Sequence, residues 1–334
     1  MVAFVRRRLG LIILGMALLL LLSAQRIAIF LTDLWWYQGL GYSQVFTGRV
    51  LAQGQLFLVF GVVLAALVAA NLHWARKVRP LFVPSTQQEV ALERYRQQAD
   101  PYLKWIILGV AVLFGVSAGG TAATQWESFL LWQNGGSFGV TDPQFGADIG
   151  FYVFELPWFS FVQSWLFTSL ILTLVVTVAA HVMLGGVRPD NQGDKMTPPV
   201  KRHLSILVIA ILVVRAVGWY LDRFALNFSP QGTVTGASFT DVNAELPALH
   251  LLIGLTVVAI GLVVYSMRQS GFLFAGAGIA LLVVASVVLQ AAYPALIQRL
   301  RVDPQEFDRE ELYIDRNLEA TRASYSLSDT ELRP

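Results

Sequence analysis

Long unbroken apolar stretches dominate the hydropathy pattern, and seven of them reach the roughly 20 residues a helix needs to cross a bilayer core of about 30 Å. They run over Leu9–Leu31, Leu51–Leu72, Leu103–Ala123, Trp158–Leu184, Leu204–Leu221, Pro247–Met267 and Phe272–Ile297. Stretches such as Leu18–Leu22 do not alternate polar with apolar, so they do not read as strands of a membrane barrel. Helices satisfy their own backbone groups in lipid. The pattern therefore predicts an all-α integral membrane fold of seven transmembrane helices over residues 1–297, followed by a polar tail over 298–334. The first run follows Arg6, Arg7 and Arg8, and Leu22 is too large for a good cleavage site before Ala24. It reads as a retained anchor rather than a removed signal.

Charge placement sets the orientation, because cytoplasmic loops collect Lys and Arg. Arg6–Arg8, Arg76, Lys77, Arg79, Arg94, Arg96, Lys104, Arg188, Lys195, Lys201, Arg202 and Arg268 fall at one side, while the opposite loops hold only Arg49 and Arg223. The segment Thr124–Pro157 has neither Lys nor Arg. The N-terminus is expected inside and, after seven crossings, the tail outside, in the plasma membrane.

Composition narrows the chemistry. The chain of 334 residues is 55% hydrophobic and 14% charged, against about 25% charged in soluble domains. Mean hydropathy is +0.59. No cysteine is present, which excludes disulfides, thiolate nucleophiles and cysteine-bound metal. A net charge of +2 gives no reason to expect a nucleic-acid partner. There is no P-loop pattern, and no cofactor is expected; the lipid bilayer is the expected surrounding.

Between the spans, Trp35, Trp36, Tyr37 and Tyr42 suit the headgroup layer. Ser85–Asp100 reads as a capped helix ended by Pro101. In the outer segment, Trp126, Phe129 and Leu130 share one helical face, Asn134-Gly135-Gly136 breaks it, Asp142-Pro143 and Gly146 mark turns, and Phe151–Phe154 reads as extended.

The ionisable candidates are few. Arg215 lies deep in the fifth span, where a charge costs about 2.5–3.5 kcal/mol unless it pairs or snorkels; Asp222, two turns on, can take it. The outer carboxylates Asp142, Asp148, Glu155, Asp222, Asp241 and Glu245 could converge on a cation, but capping of turns and pairing with Arg223 accounts for them more simply. His73, His181, His203 and His250 lack a second ligand at metal-binding spacing on their own helices. Gly115-Val116-Ser117-Ala118-Gly119 matches the nucleophile-elbow pattern, which needs a strand–turn–helix; in a span, Gly115 and Gly119 instead permit close helix approach. Gly271 with Ala275, and Gly276 with Ala280, offer similar contacts. An intramembrane dyad of Ser117 and His250 stays open.

Four strings recur together in one known group: Thr32–Trp36 with Leu40-Gly41-Tyr42; Asp142–Pro157; Tyr220–Arg223 with Gly236–Val242; and Tyr313–Arg322. In these the chain resembles the bacterial membrane proteins of uncharacterised protein family 0182. The resemblance implies seven N-terminal spans followed by a large extracytoplasmic domain, of which residues 298–334 would be the opening, so the chain would be the membrane portion of a longer protein or a truncated relative. It implies no activity. The expected role is structural: a membrane anchor presenting an outer platform to an envelope protein partner or to its own C-terminal domain, not an enzyme. Transport of a small or amphiphilic substrate is the alternative, with Gln53, Gln55, Arg215, Asp222, His250 and Gln290 as path residues. The Ser117 protease comes third.

Overall fold

Each apolar stretch folds as helix in the computed structural model of the protein, which describes residues 2–79, 98, 100–187, 196–269 and 272–327. Helix α1 covers Val2–Gly39, α2 Ser43–Lys77, α3 Leu103–Ala123 and α4, a short one, Trp126–Gln133. Then come α5 (Leu156–Met183), α6 (Pro198–Ala225), α7 (Leu246–Ser266), α8 (Leu273–Val287), α9 (Tyr293–Ile297) and α10 (Glu306–Ser324). Among the described residues there is no strand, only isolated bridges at Thr141–Asp148 and Val187–Met196. The helix expected over Ser85–Asp100 falls, but for residues 98 and 100, outside the described residues.

Six helical runs among the described residues are long and apolar enough to cross a membrane: Ser43–Lys77, Asp100–Ala123, Phe151–Met183, Pro198–Phe228, Asp241–Ser266 and Leu273–Ser324. Helix α1, over the first apolar stretch, is not among these six. The spans present bulky apolar side chains outward: Leu51, Leu58, Leu113, Val257 and Val284 are each more than 60% exposed. Leaving one such side chain in water forfeits about 1.5–3 kcal/mol, and dozens are exposed here. Only a lipid surround makes that surface tolerable, so this is a membrane protein.

Proline shapes the spans in a way the hydropathy pattern conceals. The hydropathy pattern starts two of these spans at Trp158, just after Pro157, and at Pro247. Instead the helix begins earlier and runs through each. A π-turn precedes four prolines: Phe151–Glu155 before Pro157, Asp241–Glu245 before Pro247, Val288–Ala292 before Pro294 and Gln298–Val302 before Pro304. In each, the residue before the proline donates its N–H to the carbonyl five back: Leu156 to Phe151, Leu246 to Asp241, Tyr293 to Val288 and Asp303 to Gln298. Proline has no N–H, and its ring crowds the carbonyl four residues earlier; the wider turn relieves both problems without ending the helix. Phe151–Phe154 is therefore helical, not extended as its aromatic and β-branched residues suggested. The same device keeps the chain helical or 3-10 from Leu273 to Ser324.

Two packing units meet in the bundle. Helices α2 and α3 approach backbone to backbone at the small residues: a Cβ on Gly61 would lie 2.9 Å from the Gly115 carbonyl oxygen, and one on Gly119 would lie 2.4 Å from that of Phe57. Leu64, Val68, Leu72, Ala111 and Ala118 continue the seam. The Gly115–Gly119 pair thus acts as a helix-contact face. Helices α6, α7 and α8 form the second unit around Leu212, Trp219, Leu252, Ala259, Val263 and Leu282. Here Gly276 has open space around it, and Ala275, Gly278 and Leu282 carry the contact instead. Helix α5 joins the two, through Trp158 and Trp165 against Phe60 of α2 and Leu170 against Leu207 and Ile211 of α6.

Candidate functional site on the loop end

One end of the bundle carries α4, the segment up to Phe151, the Leu226–Thr240 segment and α10. Its centre is Asp142. The loop doubles back through paired backbone bonds, Asp142 N–H to Ala147 at 2.8 Å and Ile149 N–H to Val140 at 2.9 Å. Within it the Asp142 carboxylate accepts from the N–H groups of Gln144, Phe145 and Ala147, from the Tyr152 hydroxyl at 2.8 Å and from Asn227 Nδ2 at 3.2 Å. Proline at 143 fixes the turn and Gly146 takes the positive φ of +67° that closes it. Rings of Phe145, Phe151 and Tyr152 then pack on Phe224 at the end of α6.

Asp148 does a second job nearby. It accepts from the Ser137 hydroxyl, from the N–H of Phe138 and Gly139 at 3.0 Å, and from the N–H of Gly150 at 2.7 Å. The last bond caps the helix that continues into α5. Ser238 holds the corresponding position before α7, with Asp241 three residues on as its partner. Its carboxylate accepts from the N–H and hydroxyl of Ser238, both at 2.8 Å, while its own N–H donates back to Ser238 Oγ at 3.2 Å. This is a reciprocal capping box. The two openings also match in sequence: Ala147-Asp148 and Ala237-Ser238 each stand nine residues before Glu-Leu-Pro ends at Pro157 and Pro247.

Helix α10 closes the assembly. Glu310 is 2% exposed, and its carboxylate accepts from the Phe239 N–H at 3.1 Å. That N–H is one of the unpaired donors of the helix opened by Ser238. Arg316 donates to Gln144 Oε1 at 2.9 Å, Asn317 to the Thr235 carbonyl at 3.0 Å, and Thr233 to Glu306 at 3.2 Å. Tyr313 is buried beside Asn243. A cavity of about 180 Å³ lies where the three elements meet, lined by Pro143, Asn227, Gly236, Tyr313 and Arg316 among others. Up to Ser324 the polar tail is a helix seated on the loops. Polar side chains hold it there, while Phe307, Leu312 and Leu318 stay exposed.

The candidates do not converge. Asp142, Asp148 and Asp241 each serve their own turn or cap, and no group of three His, Asp or Glu able to hold a metal occurs among the described residues. Arg215 reaches outward to Asp222 at 3.5 Å, as the spacing on one helix suggested, and lies over the Trp219 ring at 4.7 Å. Arg223 is not paired with a carboxylate among the described residues; its guanidinium covers Tyr220 and Phe224 at 4.0 and 4.4 Å. Ser117 sits on the exposed face of α3 and His250 is exposed on α7; no hydrogen bond links Ser117 to a histidine among the described residues.

A buried polar chain escaped sequence reasoning. His181 of α5 and His203 of α6 meet at 3.0 Å, and His203 Nε2 meets Asn71 Oδ1 of α2 at 2.8 Å. Asn71 Nδ2 donates to the Leu67 carbonyl at 2.7 Å, so its oxygen must accept from His203. His203 Nδ1 is then left to accept from His181 Nε2–H. The three residues lie on three helices. Searching each helix alone could not find them; the only signal was that all fall near the same ends of their spans.

The carboxylates of the first loop carry a pH expectation. Burial pushes the Asp142 carboxyl up, but bonds from Phe145, Tyr152, Ala147 and Asn227 outweigh it and hold the group below its ordinary value. The Ser137 hydroxyl and Phe138 N–H, with Gly150 and Gly139, hold Asp148 down to about 2. A depressed folded value stabilises above the unfolded value of about 3.9, and that contribution is lost as pH falls towards 2. Hydrogen exchange at the Phe138, Gly139 and Gly150 amides should keep its protection from pH 7 to about 4 and lose it below. Loss already between pH 7 and 5 would contradict the assignment.

Residues 10–334 match the Uncharacterised protein family (UPF0182). A UPF0182 protein of Frankia casuarinae is 42% identical over 317 residues, which are 94% of this chain and 31% of that protein. One from Streptomyces coelicolor is 34% identical over 332 residues, 98% of this chain and 33% of the relative, so the chain spans about a third of the length of these curated relatives. No solved structure matches. With nearly its whole length matched, the chain belongs to the uncharacterised protein family UPF0182.

Proposed function

We propose that the chain is a seven-span anchor in the plasma membrane, N-terminus inside, whose outer loops and α10 form a platform for an extracytoplasmic domain or an envelope partner. The observation that carries this is the fastening of α10: Glu310, Arg316 and Asn317 bind loop segments more than 70 residues away in sequence. A tail so held sets the position and direction of whatever it connects to. The basic residues Arg76, Lys77, Arg202 and Arg268 lie at the end opposite the platform, which supports placing the platform outside.

Transport would need polar groups lining a path. Gln290 donates to the carbonyl of Ser286 on its own helix, Gln55 and His250 are exposed, and Arg215 is paired with Asp222. These arrangements favour the anchor. An enzymatic role has no observation in its favour.

The absence of native cysteine makes topology directly measurable. Single cysteines at Phe138 and Phe307, 56% and 72% exposed, should react with a membrane-impermeant maleimide in intact cells. A cysteine at Lys77 should react only after permeabilisation. The reverse pattern would place the platform in the cytoplasm and end this reading.

A further inference from the structure

A crevice of about 1060 Å³ lies at the basic end, between α2, α6 and α7. Its wall is amphipathic in a graded way. Ala70, Ile206 and Val264 face it on the membrane side, and Ile206 and Val264 are among the exposed apolar residues of their spans. Arg202 and Arg268, both exposed, belong to its lining, and neither is paired with a carboxylate among the described residues. Trp74, 48% exposed, joins the lining at the level where indole rings favour the headgroup layer. Asn71 and His203 also line it, and their mutual bond at 2.8 Å ties α2 to α6.

A pocket with two free guanidinium groups at the headgroup level and an apolar wall opening sideways fits a molecule that is anionic at one end and aliphatic at the other. The geometry points to a bound anionic phospholipid, with its phosphate between Arg202 and Arg268 and its acyl chain along Ala70, Ile206 and Val264. Basic clefts between membrane helices are suited to such headgroups, and paired guanidinium groups match phosphate oxygens in shape and charge. A zwitterionic lipid would bring its own cation against the arginines and lose the advantage. The crevice, at about 1060 Å³, is slightly larger than the ~300–1,000 Å³ usual for small-ligand sites, which leaves room for a lipid.

The test uses the protein in nanodiscs of phosphatidylcholine with a minor fraction of phosphatidylglycerol, then native mass spectrometry of the lipids that stay bound. The wild-type protein should retain phosphatidylglycerol well above its fraction. Cations at a membrane surface contribute on the order of fivefold each, so Arg202→Gln with Arg268→Gln should cut that enrichment about 25-fold. Arg76→Gln with Lys77→Gln, at the same end but outside the crevice lining, should leave it within about twofold. Quenching by bromine-labelled phosphatidylglycerol should also be smaller in Trp74→Phe than in the wild-type protein, independently of any loss of fold in the arginine variant. Equal retention of both lipids, equal losses in the two double variants, or quenching unchanged by Trp74→Phe would each overturn the site.

Discussion

Asp142→Ala will release the loop end while leaving the spans assembled. The carboxylate accepts five hydrogen bonds from three separate parts of the chain: its own turn, Tyr152 in the π-turn before α5 and Asn227 after α6. A hydrogen bond to a charged group is worth about 1.5–3 kcal/mol, and stranded donors in a partly buried site add to the loss. Water will take over some of them, so a net cost of about 3–5 kcal/mol to the loop end is expected. The effect should spread, because Gln144 in the same turn accepts from Arg316 and so holds α10. Amide exchange should speed up at Phe145 and Ala147 and, 170 residues further on, around Arg316. Asp142→Asn keeps one oxygen but presents N–H groups to donors, so it should fall between. Unchanged exchange around Arg316 in the alanine variant would show that the platform is not one cooperative unit.

What could be read beforehand divides along a physical line. The positions of the spans follow from apolar run length, since lipid demands a minimum and the chain supplies it. The Arg215–Asp222 pair was legible because both residues sit on one helix, seven apart. The caps at Asp148 and Asp241 were half legible: the residue types pointed to turns, but the π-turns ahead of Pro157 and Pro247 were hidden by the ordinary expectation that proline opens a helix. The seat of α10 was not legible, because Glu310 and Arg316 find partners by tertiary proximity, and a mostly polar helix reads as unattached. The His181–His203–Asn71 chain fails the same test. Local periodicity reports what an element does to itself; it is silent on which polar tips meet after packing.

That packing depends on glycine positions in the α2–α3 seam that leave no room for a side chain. Between helices in lipid there is no hydrophobic driving force, since the tails are as apolar as leucine, and close van der Waals contact must supply the attraction. Gly119→Val should therefore be among the most damaging substitutions in the spans. A Cβ there meets the Phe57 carbonyl oxygen at 2.4 Å and the Phe57 ring at 3.0 Å. The first is backbone and cannot rotate away, so α2 and α3 would have to part by about 1 Å or more. Overpacking alone costs about 1–3 kcal/mol. Separation also loosens Gly61 against Gly115 and the Leu64, Val68 and Ala111 contacts along the seam, so a loss of about 3 kcal/mol or more is expected. Gly120→Val is the matched control, one residue on, with nothing within 4 Å of its Cβ position; it should change stability by no more than about 0.5 kcal/mol. Thermal unfolding in detergent, followed by the loss of the monodisperse peak, should show a marked fall in midpoint for Gly119→Val alone. Equal midpoints would mean that the two helices do not meet at Phe57, and the tight half of the bundle would have to be redrawn.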